Sequence, residues 1–247
     1  TQALVTDGIW RKSLSAIRSL GKAGFRVTVL GDSLFTTGFW SRYTRGRVFA
    51  PSAQEDIAGF GAALKYFLEQ NPGAVLLPME DASLKWVSEH RDELKPFSHF
   101  LLPSHVSLLT SWDKNATLAL AKELGLPTPK TWTPTSATLF TELLLTLTPG
   151  TFVVKPITGS GSTGVVYGLP TSAPVSKEAA RMHWMTHWAK FGPLLVQERV
   201  PPSGEGLGVS LLYDEAGKCV ARFAHKRLEQ YPNSGGPSTD RISILNS

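Results

Sequence analysis

The first 110 residues alternate short apolar runs with segments of helical periodicity. Ala3–Thr6 and Arg26–Leu30 are rich in β-branched and aliphatic residues, which is typical of strands. Between them, Leu14, Ile17 and Leu20 recur at the spacing of one helix face. The same order recurs as a strand at Val75–Leu77, a helix at Ala82–His90 and a strand at Phe100–Leu102. Strands that alternate with helices predict an open parallel α/β sheet over residues 1–110.

The chain from residue 111 onward follows a different pattern. A helical segment at Trp112–Leu124 ends at Gly125. The segment Asp214-Glu215-Ala216-Gly217 has the composition of a hairpin turn, and we expect Cys219, in the strand after it, to be a small buried apolar side chain. The other predicted elements are helices at Ser136–Leu147 and Ser176–Lys190 and strands at Thr151–Lys155, Val165–Tyr167, Leu194–Val200, Val209–Tyr213 and Cys219–Ala224. This half is therefore predicted to be an α+β domain with antiparallel hairpins.

Two carboxylates come shortly after predicted strands of the first half, Asp7 and Asp81. Ligands of open parallel sheets bind beyond the carboxyl ends of the strands, so both residues could face a ligand. Aspartate is also a preferred N-cap residue, and in that interpretation each one only caps the helix that follows. The sequence leaves both interpretations open.

Charge and length exclude several classes of protein. The net charge of +5 is divided into +2 over residues 1–110 and +3 over residues 111–247, without a basic block, so we expect no nucleic-acid partner. No apolar run approaches the roughly 20 residues of a membrane span, and the single cysteine allows no internal disulfide. We therefore expect a cytoplasmic protein of two domains without a membrane partner. Because the chain begins at Thr1 without an initiator methionine, we expect a processed form or a piece of a longer chain.

A loop rich in glycine and hydroxyl side chains interrupts the strands of the second half. It consists of Gly159, Ser160, Gly161, Ser162, Thr163 and Gly164. The glycine spacing is that of a dinucleotide fingerprint, but a β-branched run follows in place of a helix, so the loop joins strand to strand. Glycines let backbone N–H groups approach phosphate oxygens, which predicts a flexible cover over a triphosphate, with Lys155 at the end of the entering strand. The alternative is a polar hairpin turn at the surface.

Two histidines, His183 and His187, lie one helical turn apart, a spacing that could bind a metal. The segment lacks the intervening glutamate of a zinc protease and an evident third ligand. We expect a structural helix in which Trp184 and Trp188 pack.

The order of these motifs resembles the ATP-grasp superfamily, specifically its carbamoyl-phosphate-synthase-like and biotin-carboxylase-like carboxylate–amine ligases. The resemblance covers nearly the whole chain. It rests on Asp113-Lys114, on Lys155-Pro156 with its glycine loop, and on the segments Leu195-Val196-Gln197-Glu198-Arg199-Val200, Ser203-Gly204-Glu205-Gly206 and Ala224-His225-Lys226-Arg227-Leu228. It implies a pre-ATP-grasp, Rossmann-like domain at 1–110 and an ATP-grasp domain at 111–247. Within the second domain, it implies a small glycine-loop subdomain at 111–192 and the start of the large subdomain at 193–247.

The resemblance also implies the ATP contacts. Lys114 and Lys155 would bind the phosphates under the glycine loop, Lys155 with a catalytic role, although a solvated Lys114 in the first helical turn is an alternative. The hinge peptide Gln197, Glu198, Arg199 and Val200 would bind adenine through its backbone. Because Pro201 and Pro202 have no N–H, we assign the Val200 N–H as the donor and the carbonyl of Glu198 or Arg199 as the acceptor.

Two further residues receive roles from the resemblance. Glu205 would accept hydrogen bonds from the ribose hydroxyls, with an exposed loop acid as the alternative. Arg227 would act in catalysis by binding the γ-phosphate or the substrate carboxylate, because its guanidinium can bind an anion through two parallel hydrogen bonds. The alternative for Arg227 is an ordinary surface position at a strand end.

The activity implied is an ATP-dependent ligase that forms an acylphosphate on a small carboxylate substrate for attack by an amine or similar nucleophile. The resemblance implies ATP and Mg²⁺. In the family the metal is bound by an acidic residue on one strand and a Glu-x-Asn motif on the next, and the residues after Thr239 do not contain this pair, so the metal ligands are expected beyond residue 247. We therefore expect a chain truncated at its C-terminus. The resemblance is compatible with a homodimer. A non-catalytic ATP-binding module is the alternative function, and a nucleic-acid-binding protein is a third class.

Overall fold

The structure is a computed structural model that describes residues 1–159, 162–167, 176–200, 204–231 and 238–244. The chain divides into two compact units, Thr1–Leu108 and Leu109–Ser247. No helix among the described residues is long and apolar enough to cross a membrane.

The first unit contains five strands in one parallel sheet of order β3-β2-β1-β4-β5. Its elements are β1 (Gln2–Val5), α1 (Arg11–Lys22), β2 (Arg26–Gly31), β3 (Thr44–Phe49), α2 (Ile57–Gln70), β4 (Ala74–Leu77), α3 (Asp81–Glu89), α4 (Arg91–Leu94) and β5 (Ser98–His99). The open parallel sheet predicted from the alternating pattern is confirmed. The strand order reverses between β1 and β4, where ligands bind in sheets of this kind.

Both faces of this sheet are buried, as parallel sheets require. Leu4 packs in one core cluster with Phe60 and Leu64 of α2. Val5, the next residue along β1, points to the opposite face and packs with Ile17 of α1 and with Val27 and Val29. The near-continuous apolar run of β1 therefore reflects helices on both sides.

The second unit has a four-stranded sheet of order β6-β9-β7-β8 and a separate three-stranded antiparallel sheet of order β10-β11-β12. Its elements are α6 (Lys114–Glu123), β6 (Thr131–Trp132), α7 (Ala137–Thr146), β7 (Phe152–Pro156), β8 (Val166–Tyr167), α8 (Lys177–Phe191), β9 (Leu194–Glu198), β10 (Leu207–Tyr213), β11 (Cys219–Gln230) and β12 (Ser238–Ile244), while α5 (His105–Trp112) crosses the boundary between the units. Phe140, Phe152 and Trp184 are fully buried in the core between α7, α8 and the first of these sheets.

One expectation about this unit is wrong. Cys219 is exposed rather than buried. The reason is that β11 belongs to a three-stranded sheet in which Ala224 is the one buried residue among the described positions of the strands. Strand periodicity alone does not reveal whether a sheet face is covered.

Candidate functional site

The ammonium group of Lys155 is held by side chains from two neighbouring strands. Val153 of β7 pairs with Gln197 of β9, which places Gln197 diagonally opposite Lys155 on the same face of the sheet. Lys155 Nζ donates to Gln197 Oε1 at 2.7 Å, and Gln197 Nε2 donates to Thr131 Oγ1 of β6 at 3.0 Å. Gln197 is 8% exposed. Three adjacent strands therefore orient this lysine.

Lys155 lies in an electrostatic environment that suits an anion. Burial of the half-buried side chain lowers its pKa from the usual 10.5, and the nearby positive charge of Lys114 lowers it further. Among the described residues no carboxylate forms an ion pair with Lys155. Partial burial of a cation without a counter-ion costs free energy, so a bound anion would stabilise the site.

Lys114 is brought to the same place by the start of α6. Asp113 is the N-cap residue, and its carboxylate accepts from the N–H groups of Asn115 at 2.7 Å and Ala116 at 3.0 Å. The backbone N–H of Lys114 donates to the carbonyl of Ile157 at 3.0 Å, and its Nζ donates to the carbonyl of Gly159 at 2.9 Å. The helix start is thus tied to the first residues after β7, next to the glycine loop.

The glycine loop joins two antiparallel strands, β7 and β8, which confirms the predicted strand-to-strand connection. Gly159 has φ +100° and nothing within 4 Å of where a Cβ would lie, whereas Gly164 has φ +71° and a Cβ there would lie 2.8 Å from Pro156 and 2.9 Å from Phe191. Ser162 also has a positive φ, of 65°. Thr163 is exposed. Of the residues assigned to this loop, Ser160 and Gly161 lie outside the described residues.

The hinge peptide leaves one backbone donor available. The N–H of Glu198 donates to the carbonyl of Lys130 at 2.8 Å, and the N–H of Arg199 donates to the carbonyl of Thr151 at 2.9 Å. Within the described part of the chain, no hydrogen bond engages the N–H of Val200, which is 66% exposed. Among the described residues, Val200 is therefore the hinge residue whose N–H has no hydrogen-bond partner.

Glu205 and Arg227 form a separate group on the sheet of β10, β11 and β12. The carboxylate of Glu205 pairs with Lys226, and the backbone N–H of Arg227 donates to the carbonyl of Gly206 at 2.7 Å. The β11–β12 register places Arg227 directly opposite Arg241, and both are exposed. Like charges directly opposite each other destabilise a sheet, so a bound anion would relieve the repulsion between these two arginines.

Sequence reasoning missed Thr131 and Arg241. Thr131 contributes through a side-chain contact with Gln197, 66 residues away, for which the sequence has no local signal. Arg241 faces Arg227 because of the register of two strands. The alternation of a polar strand could have marked Arg241 as lying on one face, but not its partner.

The side chain of Asp7 does not cap α1, the helix that follows it, as the capping interpretation predicted. Its Oδ2 accepts from the N–H groups of Met79 at 3.3 Å and Glu80 at 3.1 Å and from Ser83 Oγ at 2.6 Å. The N-cap residue of α1 is Trp10, without a side-chain cap. Asp7 therefore joins the end of β1 to the start of α3, where Glu80 and Ser83 form a capping box.

A shallow pocket of about 40 Å³ lies beside this joint, at the carboxyl ends of β1, β2 and β3. Asp7, Gly8, Trp10 and Asp32 are among its lining residues. Asp81 is the first residue of α3 rather than its cap. The pocket keeps the ligand interpretation open for Asp7.

The two histidines of α8 do not belong to a metal cluster in the described structure. The described residues contain no group of three or more His, Cys, Asp or Glu side chains that could hold a metal ion. His183 and His187 have ring centroids 6.3 Å apart. Trp184, which follows His183 in the sequence, is fully buried, as expected for a helix that packs through its tryptophans.

Comparison with known proteins identifies the fold. No family model and no curated protein matches the sequence. The biotin carboxylase domain of Hydrogenobacter thermophilus 2-oxoglutarate carboxylase matches with a TM-score of 0.71 and 10% identity, over 94% of this chain and 51% of that chain. An L-amino acid ligase from Bacillus licheniformis matches with a TM-score of 0.64 and 15% identity, over 100% and 55% of the two chains. N5-carboxyaminoimidazole synthetase from Staphylococcus aureus matches with a TM-score of 0.66 and 11% identity, over 93% and 55%.

All three are ATP-grasp proteins, so the chain has an ATP-grasp fold, as its motifs predicted. The chain spans about half the length of the solved structures that it matches.

Proposed function

We propose that the protein binds ATP in its second unit, with the phosphates at Lys155 and Lys114 under the glycine loop. The observation that carries the proposal is the half-buried ammonium of Lys155, which has a neutral hydrogen-bond partner and no carboxylate among the described residues. A phosphate group supplies the missing negative charge. Paired cations in a partly desolvated cleft attract phosphates far more strongly than they would in water.

For the rest of the nucleotide, we propose the contacts that the resemblance implies. Adenine would accept a hydrogen bond from the N–H of Val200. The ribose hydroxyls would donate to Glu205, whose carboxylate then exchanges part of its pairing with Lys226. Two of the matched structures support a nucleotide here, because the 2-oxoglutarate carboxylase domain and the Staphylococcus aureus synthetase are complexes with ADP.

The reaction that we propose is an ATP-dependent ligation of a small carboxylate to an amine. A carboxylate oxygen attacks the γ-phosphorus of ATP, the bond to the β-phosphate oxygen breaks, and an acylphosphate and ADP form. The amine then attacks the acyl carbon, a C–N bond forms, the bond from the acyl carbon to the phosphate oxygen breaks, and inorganic phosphate leaves while the nitrogen loses a proton to solvent. The lysines hold the phosphates in line and neutralise their charge, while Arg227 and Arg241 bind an anionic oxygen of the substrate or of the γ-phosphate.

Mg²⁺ is the metal that the fold family implies, and the described residues do not provide a complete protein site for it. Magnesium prefers carboxylate and carbonyl oxygens in an octahedral arrangement. The described residues contain no cluster of three or more acidic or metal-binding side chains. We therefore assign no step of the reaction to residues that would hold the metal.

The first experiment measures nucleotide binding by the 247-residue chain. MgATP, MgADP and a non-hydrolysable ATP analogue are titrated calorimetrically into wild type, Lys155→Met and Lys122→Met. Lys122 is an exposed lysine of the last turn of α6 and serves as the matched control. Binding to wild type and Lys122→Met, with weakened binding to Lys155→Met, supports the proposal. Failure of wild type to bind any of the three nucleotides refutes it.

The second experiment separates a ligase from a non-catalytic ATP-binding module. Phosphate release is measured with ATP and a panel of amino acids and short peptides, offered as carboxylate donors and as amines. A ligase releases phosphate only with a particular acid and amine pair, and Lys155→Met abolishes the release. Tight ATP binding without phosphate release from any pair would instead identify a binding module.

A further inference from the structure

Helix α8 carries a side chain that reaches the glycine loop. His187 Nε2 lies 2.9 Å from the carbonyl oxygen of Gly164, the last glycine of the loop. The two residues are 23 positions apart in the sequence. This contact joins the far end of the loop to a helix whose own position is fixed by the buried ring of Trp184.

The surroundings of Gly164 leave the loop little freedom at this end. Its backbone has φ +71°, and the space where a Cβ would lie is bounded by Pro156 of β7 and Phe191 of α8. The ring of His187 itself packs against Phe191, with centroids 4.8 Å apart. Gly159, at the opposite end of the loop, has open space around it. Gly164 is thus packed and held by His187, whereas, among the described residues, Gly159 is held only through its carbonyl, by Lys114.

The protonation state of His187 matches a donor role. Burial is the largest influence and lowers the pKa of His187, which favours the neutral imidazole. A neutral imidazole carries one N–H, and a carbonyl oxygen can only accept. The proton therefore lies on Nε2, and His187 donates to Gly164.

We propose that His187 is a positioning residue that anchors Gly164, the last residue of the glycine loop, beside the phosphates of the nucleotide. The inference rests on the proposed ATP site and adds a residue to it that touches neither nucleotide nor substrate. With the anchor in place, Ser162 and Thr163 are held at a fixed distance from β7, where Lys155 lies. Without it, the loop end moves away from the phosphates, while the adenine contact at Val200 is unchanged.

Two substitutions separate the hydrogen bond from the packing of the ring. His187→Phe keeps an aromatic ring against Phe191 but has no donor, and His187→Gln loses the ring but keeps an N–H donor of similar reach. His183→Phe is the matched control, because His183 is exposed on the same helix one turn earlier. Thermal unfolding without nucleotide confirms that each variant is folded.

Dissociation constants for ATP, ADP and adenosine are measured by calorimetry. We expect His187→Phe to weaken ATP and ADP binding about 3- to 10-fold, the range for one neutral hydrogen bond, with adenosine binding unchanged. His187→Gln should recover most of the loss, and His183→Phe should match wild type. The role of His187 is refuted if a folded His187→Phe binds ATP like wild type, or if it loses adenosine and ATP binding equally; neither result refutes the nucleotide site. No ATP binding by wild type overturns the nucleotide site itself.

Discussion

Replacement of Lys155 by methionine tests the anion site most directly. Methionine has a similar length and removes the charge and all three N–H donors. In wild type one of these donors is engaged with Gln197 Oε1, which leaves two for a phosphate oxygen. The substitution therefore removes the charged contacts to ATP while the strand pairing of β7 with β9 remains, since that pairing uses the backbone.

The size of the effect follows from the contacts that are lost. A hydrogen bond to a charged group contributes about 1.5–3 kcal/mol, which raises the dissociation constant of ATP about 10- to 150-fold. At an ATP concentration of about 100 times the wild-type dissociation constant, ATP adds about 2.7 kcal/mol to the free energy of unfolding of wild type. For Lys155→Met at the same concentration, the gain falls to about 0.3–1.3 kcal/mol.

Thermal or denaturant unfolding with and without MgATP measures this gain. Lys122→Met, an exposed lysine of the same unit, should keep the full wild-type gain. Stabilisation of Lys155→Met by MgATP as strong as that of wild type would contradict the proposed anion site, because the half-buried ammonium would then contribute nothing to nucleotide binding.

Three further predictions concern the unliganded protein and the second anion site. Because the pKa of Lys155 is lower in the folded state than the usual 10.5, the unfolded state binds more protons between the two values, so the free energy of unfolding rises with pH across that window. Denaturant titrations from neutral pH to about pH 11 should show a flatter rise for Lys155→Met than for wild type, and parallel curves would contradict this. Gly164→Ala should lower the free energy of unfolding by about 1–3 kcal/mol, because alanine is strained at φ +71° and crowds Pro156 and Phe191. Gly125→Ala, at nearly the same φ of +70° but with nothing within 4 Å of the added Cβ, should cost less in the same urea titration, and an equal cost would show that crowding has no part. Arg241→Gln should raise the free energy of unfolding without ligand by about 0.2–1 kcal/mol, because it removes the like charge opposite Arg227. The same substitution should weaken ATP binding in calorimetry, and unchanged binding would exclude Arg241 from the site.

Local patterns in the sequence predicted much of the fold. The apolar runs of β1 and β2 and the helical spacing of Leu14, Ile17 and Leu20 predicted the parallel sheet, because burial on one face of a helix repeats with its turn. The β-branched residues after Gly164 predicted the strand β8 and excluded a dinucleotide loop. These features depend on residues that are close in the chain, so a single sequence carries them.

Boundaries were predicted less well, for identifiable reasons. The helix expected at Trp112–Leu124 is divided at Asp113, which caps α6 with its side chain instead of continuing α5. The strand expected to end at Ala224 continues to Gln230, because β12 pairs with its second half. A cap and a partner strand each override the local periodicity.

The alternation of strands and helices, the glycine loop and the lysines next to it can all be predicted from local sequence. Which groups meet depends on the tertiary structure. Strand register places Gln197 against Lys155 and Arg241 opposite Arg227, and helix packing places His187 at Gly164. These contacts join residues 14 to 42 positions apart. The physical reason is that such pairings follow from the burial of whole helices and sheet faces, which no short segment specifies.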